Sequence, residues 1–198
     1  MELWDIYDKN KQRTGRTMKR NDWCLADDEY HLSVLGVIKR PDGKFLITKR
    51  VMTKHWAPGW WEVSGGACMA GEESYDAVVR EVREEVGLDV TNAKGGFLFD
   101  YHRENPGTGD NYFVDVYRFE MDFDENDVHI QEEETDGFQM KTRTHQKQFG
   151  LLKKQFGLFK KEFHLLKKDR GLFLRDRGQV SFANSLSDVS YYCIVLIT

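Results

Sequence analysis

Two periods of apolar spacing run along this chain, and the switches between them mark its elements. Leu3 to Tyr7 is a short apolar and aromatic run that reads as a strand, and the polar segment Asp8 to Gly15 reads as the turn after it. His31 to Lys39 alternates loosely and is rich in Val, Leu and Ile. Pro41-Asp42-Gly43 then predicts a turn, because proline fixes φ and glycine accepts a positive one. Phe45 to Thr48 continues as a second strand, so the pair predicts a hairpin. Val51 to Gly59 reads as a loop, and Trp60 to Val63 as a short strand ahead of two glycines. Between Glu73 and Val86 the period becomes helical: Val79, Val82 and Val86 fall at i, i+3 and i+7. Ser74 is the expected N-cap, and Gly87 sits where a helix ends. Phe97 to Tyr101 and Tyr112 to Phe119 predict two further strands, and Glu132-Glu133-Glu134 a loop.

From Gln148 the character changes. QFGLLKK, QFGLFKK and EFHLLKK are consecutive heptads, with Phe149, Leu152, Phe156, Phe159, Phe163 and Leu166 forming an apolar helical stripe. Gly150 and Gly157 oppose it, each costing about 1 kcal/mol in a helix interior. Val189 to Thr198 is strongly β-prone.

Composition narrows the class. With 198 residues, 40% of them apolar and 13% aromatic, the chain suits one folded domain with an appended segment rather than a disordered polymer. The net charge of −4 is uneven: residues 141–178 hold twelve Lys/Arg against three Asp/Glu, leaving residues 1–140 at −12. Such an acidic body is a poor nucleic-acid binder and suits anionic substrates met through bound cations. No apolar stretch is long enough to span a bilayer. The first residues have no basic n-region followed by an apolar run, so no signal peptide is expected. Cys24, Cys68 and Cys193 are widely spaced without a CxxC, which points to a reducing cytoplasm rather than a disulfide framework or zinc site.

One segment carries chemistry. Gly66 is followed by five residues and Glu72; seven more lead to Arg80-Glu81, then Val82, Glu84-Glu85, Gly87 and Leu88. On a helix, Glu81 shares a face with Glu84 and Glu85, at i+3 and i+4. Carboxylates so close repel unless a cation neutralises them, and hard oxygen donors suit Mg²⁺ or Mn²⁺. Arg80 reaches Glu84 at i+4. The glycines ahead let backbone approach metal and phosphate, and a helix N-terminus favours anions. Trp56, Trp60, Trp61, Tyr101 and Tyr112 are candidate stacking surfaces for a base. His55, Cys24 and Cys68 have no partner at recognisable spacing.

The segment resembles the Nudix hydrolase family, whose pattern GX5EX7REUXEEXGU (U aliphatic) it matches at every defined position. The resemblance implies an α/β fold, a mixed β-sheet sandwiched between α-helices, over residues 1–140. It also implies metal ligands at Glu81, Glu84, Glu85 and the Gly65 carbonyl, with Glu72 and Arg80 in support. The implied reaction is attack of water on phosphorus in a small diphosphate of the type nucleoside diphosphate linked to X. The general base is Glu85 or an acid of the loop Glu132, Glu133 and Glu134. A homodimer stays open.

Two alternatives stand beside hydrolysis. ELWDIYD, Thr14-Gly15 and Tyr30-His31-Leu32 resemble the Nudix branch related to isopentenyl-diphosphate isomerase. That chemistry uses a Cys-Gly-His stretch, whose cysteine and histidine positions fall here on Gly65 and Ala67. Cys68 lies three residues out of register. The other alternative is a non-catalytic Nudix nucleotide-binding module. Residues 141–198 depart from the family: they supply a closing helix, or a basic amphipathic segment for a membrane or partner helix, or no selected structure.

Overall fold

In the computed structural model, the described residues are 2–54, 57–105, 107–142, 172–176 and 179–183. The heptads, the end from Val189, and His55 and Trp56 lie outside them. The order is β1 (Leu3–Asp8), β2 (Arg13–Lys19), β3 (Glu29–Lys39), β4 (Phe45–Arg50), β5 (Trp61–Glu62), β6 (Ser64–Ala67), α1 (Ser74–Val86), β7 (Lys94–Arg103), β8 (Tyr112–Glu120), a 3-10 turn (Glu125–Asp127), β9 (Thr135–Lys141), β10 (Leu172–Asp176) and β11 (Gln179–Ala183).

The strands form one mixed sheet with β3 at its centre. One edge of β3 runs parallel to β8, from His31 opposite Tyr112 to Lys39 opposite Glu120. Its other edge is shared: β1 takes Tyr30, β6 takes Ser33 to Gly36, and β4 takes only Lys39. The expected β3–β4 hairpin is therefore reduced to its turn. β4 swings away to pair with β5 and β9, and β6 fills the space it leaves. β2, expected as a turn alone, extends the sheet as the partner of β1. Its side chains are exposed except for Met18, so no alternation of burial marks it in the sequence.

Among the described residues the helical layer is α1. Its valines Val78, Val82 and Val86 are fully buried against Val34, Ile38 and Leu46. Each contributes about 1.5–3 kcal/mol of transfer free energy. Gly36 leaves room for the helix on β3: a Cβ there would lie 2.8 Å from Val82 Cγ2 and 3.0 Å from Val78 Cγ2. A second apolar layer, with Val37, Phe45, Ile47, Val63, Val114 and Val116, covers the other face. Gly87 ends α1 in the left-handed region at φ 74°, as its position predicted. Ser74 is not the N-cap. Glu73 holds that place without a side-chain cap bond, and the Ser74 hydroxyl instead meets the Tyr117 hydroxyl.

Candidate active site

The site lies where α1 faces the free edge of β6. Cys68 N–H donates to the Leu32 carbonyl, and antiparallel ladders alternate paired and unpaired positions. Gly65 and Ala67 therefore turn their N–H and C=O groups away from β3. The helix side chains meet that edge. Gly65 N–H donates to Glu85 Oε2 at 3.2 Å, and the Ala67 carbonyl accepts from Arg80 Nη2 at 3.1 Å. Gly66 is required for a different reason: any Cβ there would overlap the Glu81 carboxylate.

Arg80 is the hub. It grips Glu72 with two parallel bonds, Nε to Oε1 at 2.8 Å and Nη2 to Oε2 at 2.9 Å. Its Nη1 reaches Glu81 at 2.7 Å and Glu84 at 3.2 Å. The forked geometry suits a guanidinium and would be lost with lysine. Burial alone would raise the Glu72 carboxyl, but the Arg80 bonds and the Met69 N–H outweigh it and hold it low.

The opposite shift holds deeper in. Glu85 is 8% exposed. Burial, with Glu81 and Glu62 nearby, pushes its carboxyl up to about 8 against the single Gly65 N–H. Burial also raises Glu81, with Glu84 and Glu134 adding repulsion. Glu62, on β5, is raised by burial although Arg50 Nη1 holds both its oxygens, at 2.9 and 3.1 Å.

The acidic loop is sorted by its anchoring. His129 N–H and Gln131 N–H donate to the Val86 and Glu85 carbonyls, which the end of α1 would otherwise leave unpaired. Glu134 follows, pairs with Lys54 at 2.6 Å, and acts electrostatically on Glu62, Glu81 and Glu85. Glu132 and Glu133 do not figure among the charges that shift these groups.

The donor set is all oxygen, rich in carboxylates that burial disfavours as bare anions, with a glycine cradle at Gly66. This fits a hard divalent cation. Among the described residues no three acidic, His or Cys side chains already stand as a closed cage, since Arg80 draws Glu81 and Glu84 to itself. Glu62, Arg50, Lys54 and Glu134 join the site from separate strands and loops, so no spacing announced the first three. Cys68 is 3% exposed, and burial, then Glu72, drives its thiol far above the usual range. Tyr112 stands by His31 with ring centroids 5.5 Å apart, and Trp61 is partly exposed at 37%.

The NUDIX domain model matches residues 29–159. The chain belongs to the Nudix family. The uncharacterised Nudix hydrolase lmo0368 of Listeria monocytogenes is 35% identical over 135 residues, covering 68% of this chain and 76% of that protein. The isopentenyl-diphosphate Delta-isomerase of Kocuria rhizophila is 30% identical over 115 residues, 57% of this chain and 63% of that one. Among solved structures, DR0079 from Deinococcus radiodurans superposes with a TM-score of 0.62 at 19% identity, covering 97% of this chain and 99% of that one, which shows the shared fold. This Nudix protein has the family's α/β fold and is a Nudix-type pyrophosphohydrolase.

Proposed function

We propose that the protein hydrolyses a nucleoside diphosphate linked to a further group X, with Mg²⁺ or Mn²⁺ at the helix edge and water attacking phosphorus. The observation that carries this is the buried Glu85 carboxyl, raised to about 8 and facing Gly65 beside Glu81. A carboxylate so placed is stabilised by a cation and destabilised without one. Glu81, Glu84, Glu85 and the Gly65 carbonyl would hold the ion. When bound, it would polarise the phosphoryl oxygens and lower the pKa of a bound water. Arg80 keeps Glu81 and Glu84 oriented, and Glu72 keeps Arg80 oriented. The base is Glu85 or an acid of the Glu132–Glu134 loop; Glu134 is favoured within that loop because its charge acts on Glu62, Glu81 and Glu85. Residues 1–140 are the catalytic unit in this reading.

Two further attributes are proposals of the same kind. A small-molecule diphosphate, not nucleic acid, fits the acidic body. A cytoplasmic location fits Cys24 and Cys68 as free thiols. No helix among the described residues is long and apolar enough to cross a membrane.

The isomerase reading is less well supported. A thiolate is the reactive form of cysteine, and Cys68 is both buried and pushed toward its neutral thiol. The deciding experiment is a panel of nucleotide sugars, dinucleotides, nucleoside triphosphates and prenyl or coenzyme diphosphates, with Mg²⁺ or Mn²⁺. Glu84→Gln and Glu85→Gln should each lower turnover about 100-fold, in line with losses on removing metal-site groups. Unchanged hydrolysis in both variants would refute the assignment.

A further inference from the structure

Outside the family-matched span, the β1–β2 hairpin makes a connection that the Nudix pattern does not contain. Asp5 lies on β1 and Arg13 opens β2. Asp5 Oδ2 accepts from Gly71 N–H at 2.8 Å and lies 3.0 Å from Arg13 Nε. Arg13 Nη2 donates to the Glu72 carbonyl at 2.6 Å, and Nη1 to the Glu73 carboxylate at 2.7 Å. Three successive residues of the loop, Gly71, Glu72 and Glu73, are thus held by two side chains about sixty positions away in sequence.

The loop is also closed from within, Glu72 N–H donating to the Met69 carbonyl and Met69 N–H to Glu72 Oε2 at 2.9 Å, but these bonds reach no other element, so they fix its shape and not its place. Gly71 has φ 81°, and a Cβ on it would touch nothing, so at this residue the Asp5 bond stands without side-chain packing. Glu73 is the N-cap of α1 but makes no side-chain cap bond, so its carboxylate is free to take Arg13. Glu72 is pinned at both ends: its carbonyl by Arg13, its carboxylate by Arg80.

We propose that Asp5 and Arg13 are positioning residues for the metal site: they fix the Gly71–Glu73 turn, and through Glu72 they set where Arg80 presents Glu81 and Glu84. The proposal rests on the reading of Glu81, Glu84 and Glu85 as metal ligands. Neither residue contacts Glu81, Glu84 or Glu85; their bonds to the loop end on Gly71, Glu72 and Glu73. They act by holding Glu72 where its two oxygens meet the guanidinium of Arg80, so their loss loosens the ligands without removing one. Charge-assisted bonds in a partly exposed setting are individually modest, which makes this a tuning device rather than a foundation of the fold.

The test uses the full-length chain without substrate. Mn²⁺ affinity is read from the free-ion electron paramagnetic resonance signal, and exchange of the Gly71 amide by hydrogen–deuterium exchange. Arg13→Ala and Asp5→Ala should each weaken Mn²⁺ binding about three- to tenfold, the low end of what supporting residues contribute. The double variant should be no worse than the weaker single, because both act through one turn. Gly71 exchange should quicken in all three. Arg13→Lys should recover only part of the affinity. Thr14→Val is the control: it removes a 2.8 Å bond from the Thr14 hydroxyl to the Ile6 carbonyl in the same hairpin without touching the loop. It should lower the melting temperature but leave Mn²⁺ affinity unchanged. If Arg13→Ala and Asp5→Ala behave like Thr14→Val in both readouts, the proposal is overturned. Should the unaltered protein bind no Mn²⁺, the metal-ligand reading itself fails, whereas Gly71 exchange still reports whether the hairpin holds the turn.

Discussion

At Glu85, burial raises the carboxyl and one backbone N–H lowers it, and burial wins. The consequence for stability has a definite sign. An acid whose folded pKa is raised binds more protons folded than unfolded between its ordinary value of 4.5 and about 8. Stability of the metal-free protein therefore falls as pH rises through that window. Glu81 and Glu62 are shifted the same way. We expect the metal-free protein to melt several degrees lower at pH 8 than at pH 5.5, and Mg²⁺ to raise the pH 8 value most. A flat profile in calorimetry would contradict this. Gly66 supplies a second residue-scale prediction. In Gly66→Ala the new methyl must displace the Glu81 carboxylate, a movable group, so the fold should survive with a melting temperature near that of the unaltered protein. Turnover should nevertheless drop by about two orders of magnitude, as for loss of a ligand-orienting group. The glutamates and Arg80 were legible because a helix converts spacing into a shared face. Glu62 and Arg50 were not, because strand pairing and not spacing brings them in.

Among the elements, α1 was predicted within a residue, since its valines repeat with the helical period. No such period marks β2 or β9. β2 lies exposed, and β9 owes its place to pairing with β4, Leu46 opposite Met140. The β3–β4 hairpin forms only at its turn for a related reason: a turn fixes a change of direction, not a ladder, and β6 takes the rest of that edge. Seating of α1 on β3 depends on Gly36. Gly36→Ala should cost about 1–3 kcal/mol through overpacking against Val82 and Val78, measurable as a lower urea midpoint with unchanged slope. A rise in stability would show that the helix can shift outward freely. Gly87→Ala should cost about 1 kcal/mol for its left-handed backbone, and should also disturb His129, which stands beside it.

For the molecule as a whole, the charge asymmetry of the sequence coincides with the site: the acidic first 140 residues hold every group assigned a role. A chain ending at residue 145 keeps α1, β6 and the loop of Glu134, but removes β10, whose Leu174 and Arg175 pair with Tyr101 and Asp100 on β7. We expect hydrolysis within about threefold of the full chain, and concentration-dependent association through the uncovered β7 edge, visible by light scattering. Loss of all turnover would place residues beyond 145 in the catalytic unit. The parallel pairing of β3 with β8 has a consequence in time. His31 meets Tyr112 only after the intervening chain exists, and α1 lies within that interval. During synthesis the helix bearing the glutamates emerges before the platform beneath it is complete. Such long-range pairing slows folding. The acidic helix already has β3 and β6 to dock on when it emerges, but the far edge of β3 must wait for β8, so the nascent protein carries its glutamates on a half-built sheet.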